Sequence, residues 1–274
     1  MAETGTQSSL RQRLERVGDP HDQFDWVTGG FDYVGALGVT ADDVPHLLAI
    51  AREWAGPYAA DEPEPQEDDV AWAAPIHAWR ALAQLRAPET VGSLLGRMKA
   101  LDEADDDWYL EEFPHVFAWI GPPAFDPVAA YLADDGHGLY PRTATAHGLT
   151  ELAQRHGELR WRTIEAITEA LSEDASADVE LNGFLVAYLL DLHAVEAADV
   201  IERVFAADRV ETWITGYWDD VRKALGVEGQ GVVPEELAGP PKRRRRRGRR
   251  PDAFDEALDW IPDDIDEMAP PGPD

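Results

Sequence analysis

Between residues 9 and 225, apolar residues recur at helical spacing almost without interruption, and proline and glycine corners cut the pattern into short helices that come in pairs. A helix with one apolar stripe must bury it against another element. The chain is therefore committed to helix-on-helix packing. The spacing predicts pairs at residues 75–86 with 88–101, 108–120 with 123–133, 139–155 with 159–171, and 178–192 with 195–207, then a last helix at 218–225. Val91, Leu94, Leu95 and Met98 mark the apolar stripe of the second of these helices, and Pro114 predicts a bend in the third.

Shorter helices are expected ahead of the pairs. Ser9 and Gln12 have capping-box spacing before Leu14 and Val17, with Gly18 placed to close the turn. Residues 31–37 form a short apolar turn. Thr40 and Asp43 repeat the capping pattern before Val44, Leu47, Leu48 and Ala51, and residues 56–69 read as an acidic, proline-containing loop.

Weak self-similarity links the pairs. The runs Leu85-Arg86-Ala87-Pro88-Glu89 and Leu192-His193-Ala194-Val195-Glu196 fall at the same hairpin corner, with Ile120-Gly121-Pro122-Pro123 at the corner between them. Units of roughly 27 to 40 residues, none able to bury its own apolar face, are what stacked helical repeats require. The expected fold is all-α: an irregular α-solenoid of stacked antiparallel helix pairs over residues 1–226, followed by a disordered or loosely attached C-terminal tail.

PIHAWRALAQLRAPETVGSLL and NGFLVAYLLDLHAVEAADVIERVF give the layout a resemblance to HEAT-like helical repeats, and to an uncharacterised bacterial family of such proteins, over about residues 27–226. Members of that family often end in a Cys-rich metal-binding motif. This chain has no cysteine, so the resemblance implies a binding surface and no catalytic residue. A sequence without cysteine also excludes disulfide scaffolds, thiol catalysis, Cys-type zinc sites and iron–sulfur clusters.

Charge divides the chain more sharply than its net value of −30 suggests. Residues 1–241 carry 45 acids against 16 bases, residues 242–250 carry eight basic side chains, and residues 251–274 hold nine acids and no base. An acidic body repels phosphate backbones and anionic membranes, and it also keeps a protein hydrated at high salt. No apolar leader and no run of 18 apolar residues occurs, so a cytoplasmic location without a membrane partner is expected.

Motifs that carry chemistry are missing. There is no P-loop, HExxH, GxSxG or dinucleotide fingerprint, and the glycines between Gly226 and Gly231 follow no strand. His77, His115 and His147 lie within helices among apolar neighbours, where a satisfied, partly buried histidine is the ordinary role. The run Asp134-Asp135-Gly136-His137 has turn composition without the spacing of a calcium loop. Glu103, Asp105, Asp106 and Asp107 sit where acids favour a helix start. Trp72, Trp79, Trp119 and Trp161 are expected in the core, with some of the ten tryptophans free to line a concave face. No catalytic residue, metal ligand or cofactor is assigned.

The candidate site residues are all in the tail. After a Gly/Pro linker at 227–241, Lys242, Arg243, Arg244, Arg245, Arg246, Arg247, Arg249 and Arg250 form a basic run suited to RNA, DNA, an acidic protein or the chain's own acidic surface. Residues 251–274 then carry Phe254, Leu258 and Ile261 at helical spacing, with Trp260 and Ile265 nearby, as a segment for docking into a groove. The leading expectation is a non-enzymatic interaction or scaffold module with a protein partner. Nucleic-acid association through the Arg run is the alternative, and a metal-dependent enzyme using the histidines and acidic loops is a third.

Overall fold

A computed structural model of the chain describes residues 9–21, 26, 30–54, 71–172, 174 and 178–227. The loop at 56–69, all but the first residue of the linker, the Arg run and the acidic tail lie outside the described residues, and with them every tail residue named above. What is described is all-helical, with no strand. No described helix is long and apolar enough to cross a membrane.

Three short helices come first: α1 (Leu10–Glu15), α2 (Tyr33–Leu37) and α3 (Val44–Ala51). Ser9 and Gln12 form the expected capping box on α1, and Asp43 accepts from the Thr40 backbone N–H at 2.9 Å ahead of α3. The pairs follow as α4 (Ala74–Gln84) with α5 (Glu89–Asp102), α6 (Trp108–Ile120) with α7 (Phe125–Ala133), α8 (Leu139–Arg155) with α9 (Arg160–Ala170), and α10 (Val179–Asp191) with α11 (Ala198–Ala206). A four-residue helix, α12 (Thr212–Thr215), which the spacing does not predict, precedes α13 (Trp218–Ala224).

The first helices of the pairs touch in succession, α4 on α6, α6 on α8, α8 on α10, and α10 on α12. The second helices form another row, in which α5 meets α7 and α7 meets α9. Short 3-10 turns at Pro122–Ala124, Gly157–Leu159 and Val195–Ala197 mark the same corner in three consecutive pairs.

Backbone geometry repeats at the corners that the sequence pairs. Arg86 and His193 both have positive φ, 52° and 46°. Just beyond them the Ala87 N–H reaches Leu82 O at 3.2 Å and the Ala194 N–H reaches Leu189 O at 2.9 Å. This is a Schellman-type ending, which satisfies carbonyls the helix leaves open.

Helix α4 is the most enclosed. Every residue from Ala74 to Ala83 is buried, because α1, α2, α3 and α6 all pack on it. Trp79 donates its ring N–H to Ala51 O at 3.1 Å and sits beside Trp54, itself packed against Trp72 and Trp108. Trp119 is partly buried as well, but Trp161 corrects the expectation: it lies on α9 and is 63 % exposed. One apolar residue off the stripe is enough to place a tryptophan in water.

Helices α6 and α8 approach each other closely. A Cβ at Gly148 would stand 3.1 Å from Phe117 Cδ2 and 3.3 Å from the Pro114 Cα, so glycine in mid-helix lets the two backbones meet. Helix α6 runs on through Pro114 rather than ending there.

Candidate functional site

Polar residues three or four positions apart occupy one side of each first-row helix: His77, Arg80 and Gln84 on α4, Glu112, His115 and Trp119 on α6, His147, Glu151 and Arg155 on α8, and Tyr188 and Asp191 on α10. Contacts between neighbouring helices join them into one row.

Over the first part of that row lies the chain's own N-terminal stretch, held by its main-chain oxygens. His77 Nε2 donates to Gly18 O at 2.9 Å, Arg80 Nη1 to Pro20 O at 2.9 Å, and Gln84 Nε2 to Phe31 O at 2.7 Å. Trp119 Nε1 and Arg155 Nη2 both donate to Trp26 O, at 3.3 and 2.8 Å. The Trp26 ring stacks on His115, with centroids 5.2 Å apart, and His21 lies against Trp108.

Where α4 meets α6 the polar groups are sealed. Arg80 grips Glu112 through Nε and Nη2, and each side chain is only 4 % exposed. Beside them His77 Nδ1 accepts from the Tyr33 hydroxyl at 2.7 Å. One neutral tautomer, protonated on Nε2, satisfies both of its partners. Burial holds that imidazole down to about 4 and pushes the Tyr33 phenol well above its usual range.

Across α6, α8 and α10 the row opens. His115 Nδ1 donates to Glu151 Oε2 at 2.6 Å, and His147 Nε2 stands 3.6 Å from Glu151 Oε1. The three side chains are 22, 20 and 31 % exposed. The His147 ring stacks almost parallel on Tyr188 at 5.4 Å between centroids.

Burial lowers His147 to about 4, against the pull of Glu151. For Glu151 itself burial favours the neutral acid, but the His115 hydrogen bond and the neighbouring His115, His147 and Arg155 outweigh it and keep the carboxyl below its usual range. Burial alone pushes Asp191 up to about 7. Burial also raises the Tyr188 phenol, helped by the Asp191 and Glu151 charges. Neither Tyr188 Oη nor the Asp191 carboxylate has a hydrogen-bond partner among the described residues.

His77 and His115 are hydrogen-bonded in-helix residues, as expected, whereas His147 has only the 3.6 Å approach to Glu151 and its stack on Tyr188; taken singly, the three histidines do not reveal the row. A signal was available. His115 and Glu151, Asp126 and Arg162, and Arg160 and Glu196 each bond across 36 residues, from one pair of helices to the next. The acidic run 134–137 is an ordinary turn in which the Gly136 N–H meets Asp134 Oδ1 at 2.9 Å. Asp106 accepts from Trp54 Nε1 at 2.7 Å and from the Tyr109 N–H at 3.2 Å, and its burial lifts it to about 6. Among the described residues no group of three or more histidines and carboxylates is placed to hold a metal ion. The chain matches no protein-family model, no curated protein and no solved structure.

Proposed function

We propose that this chain is a non-enzymatic interaction module, an irregular α-solenoid of the HEAT-like kind, whose first-row helices bind a protein partner. The observation that supports the reading is the open part of the row: Tyr188 and Asp191 keep unused hydrogen-bonding groups beside a stretch where the same face already holds polypeptide by its carbonyls. Half-buried polar groups that are left to water are open to a ligand that replaces that water, which favours a ligand on this face. In this reading the charged tail is a second contact, serving as tether or gate.

A photo-crosslinking residue placed at Tyr188 of the full chain in its native cells is expected to yield a discrete adduct, while one at the exposed Glu169 on α9, in the second row, yields none. Equal labelling at both positions, or none at 188, would contradict the module. The Arg run supports a second reading, association with RNA or DNA, from its eight positive charges within nine residues. That reading expects salt-sensitive binding that disappears on deleting 242–250.

A further inference from the structure

Two features of the row, taken together, specify what would fit it. The first is its continuity. Over α4, α6 and the end of α8, five side chains donate to main-chain oxygens at Gly18, Pro20, Trp26 and Phe31, so this face holds non-helical polypeptide through its backbone. Beyond Trp26 the same face continues with His147, Glu151, Tyr188 and Asp191, and no described segment lies over it by a comparable bond. Tyr188 Oη is a donor of the kind that Trp119 and Arg155 direct at Trp26 O.

The second feature is charge. Glu151 and Asp191 flank the aromatic pair of His147 and Tyr188, and both carboxylates act on the Tyr188 phenol. Arg155, the cation on this face of α8, is already used: it donates to Trp26 O and lies over the Trp119 ring at 4.9 Å. Burial shifts His147 towards its neutral form. The open part of the row therefore presents an aromatic surface between Glu151, which His115, His147 and Arg155 already offset, and Asp191, which no basic group among the described residues offsets, in a strongly acidic body.

We infer that the face formed by His147, Glu151, Tyr188 and Asp191 takes an extended peptide of a partner protein and seats one basic side chain, Arg or Lys, against Asp191 and Glu151. The inference rests on the interaction-module reading and names the chemistry of its ligand. Tyr188 Oη donates to a carbonyl of the peptide, its ring supplies a π surface for the cation, and the carboxylates supply the counter-charge. A cation beside Asp191 also relieves the penalty that burial places on its ionised form. Neighbouring helices about 8–10 Å apart are crossed by about three residues of extended chain, so a peptide of about six to eight residues spans α8 and α10 with its flanks.

Bulk attraction between an acidic protein and any basic peptide must be separated from this site. The test pans a displayed random heptapeptide library against the full chain, then measures a selected sequence as a synthetic peptide of zero net charge beside its Arg→norleucine or Lys→norleucine analogue. A basic residue at one fixed position is expected, with about tenfold weaker binding for the analogue and for Asp191→Asn or Glu151→Gln. The distant variant Glu202→Gln, which removes as much charge, should bind as the parent does. Asp191 has no hydrogen-bond partner among the described residues, so its variant should unfold at a midpoint no lower than the parent's and remain a fair test if Glu151→Gln disturbs the fold.

The inference is overturned if no peptide is enriched, if the enriched peptides lack a basic position, or if both site variants bind as tightly as the parent. It is equally overturned if Glu202→Gln weakens binding as much as Asp191→Asn. Enriched peptides without a basic position, together with a crosslink at 188, would leave the interaction module standing and remove only this ligand. Loss of the crosslink as well would remove both.

Discussion

The seam between α4 and α6 and the seam across α6, α8 and α10 are built from the same residue types, yet they treat them in opposite ways. At the first, Arg80, Glu112, His77 and Tyr33 are sealed from water and saturate one another, with Gly18 O and Pro20 O completing the set. At the second, His115, Glu151 and His147 remain partly exposed, and Tyr188 and Asp191 keep free polar atoms. A closed network holds the fold together, because removing one member strands the others in a dry interior. An open network can exchange partners. The difference comes from what closes each seam: Gly18 O, Pro20 O and the Tyr33 hydroxyl complete the first, whereas no described residue bonds to Tyr188 Oη or the Asp191 carboxylate at the second.

The largest effect should come from breaking the closed seam. Glu112→Ala leaves Arg80 charged and buried without its partner, and should cost about 3–5 kcal/mol in a denaturant titration. The corresponding change at the open seam, Glu151→Ala, should cost less than half as much, since water reaches its partners. Equal losses would erase the contrast.

Next is acid sensitivity. The unfolded chain protonates His77 near 6.5 and the folded chain only near about 4, so the unfolded state binds the extra proton between those values. Stability should therefore fall as pH is lowered from 6.5 towards 4, by up to about 3 kcal/mol from this residue. His77→Gln should flatten that part of the curve. His147 has the same direction of shift at a more exposed position, so His147→Gln should flatten it less.

The contact between the seams gives a third test. Gly148→Ala drives a methyl towards the Pro114 backbone, which cannot rotate away, and should cost about 1–3 kcal/mol. Gly92, with nothing near its missing Cβ, should tolerate alanine or gain from it.

Smallest is Asp191→Asn. With its folded value raised to about 7, Asp191 binds its proton more tightly in the folded chain, and stability drops as pH rises from about 4 to 7. The asparagine variant should be more stable than the parent at pH 8 by up to about 1 kcal/mol after allowance for solvent screening. The gain should shrink as pH approaches 4. No gain at pH 8 would mean that Asp191 is solvated or paired in solution.

Much of the fold could be read from the apolar spacing. The four pairs, the α1 capping box and the α5 stripe of Val91, Leu94, Leu95 and Met98 stand where helical periodicity puts them, because each is decided within a few residues. Trp161 shows where that logic ends: its burial depends on which side of α9 meets a neighbour, and its own side meets none. The short α12 was not legible either, since four residues carry too little periodicity to register.

The site was less legible. Its members come from four helices and from Gly18, Pro20, Trp26 and Phe31, so no local motif contains them, whereas the conspicuous local motif, the basic run at 242–250, lies outside the described residues. Sequence by itself determined that this chain makes helices, where they break and which stripe each must bury, because those are properties of one to four turns. Only the tertiary structure decided that Arg80 is matched by Glu112 and covered, while Tyr188 and Asp191 are left with groups to spare. The cost of burying a polar group depends on what lies within a few ångströms of it, and those neighbours are 30 or more residues away along the chain.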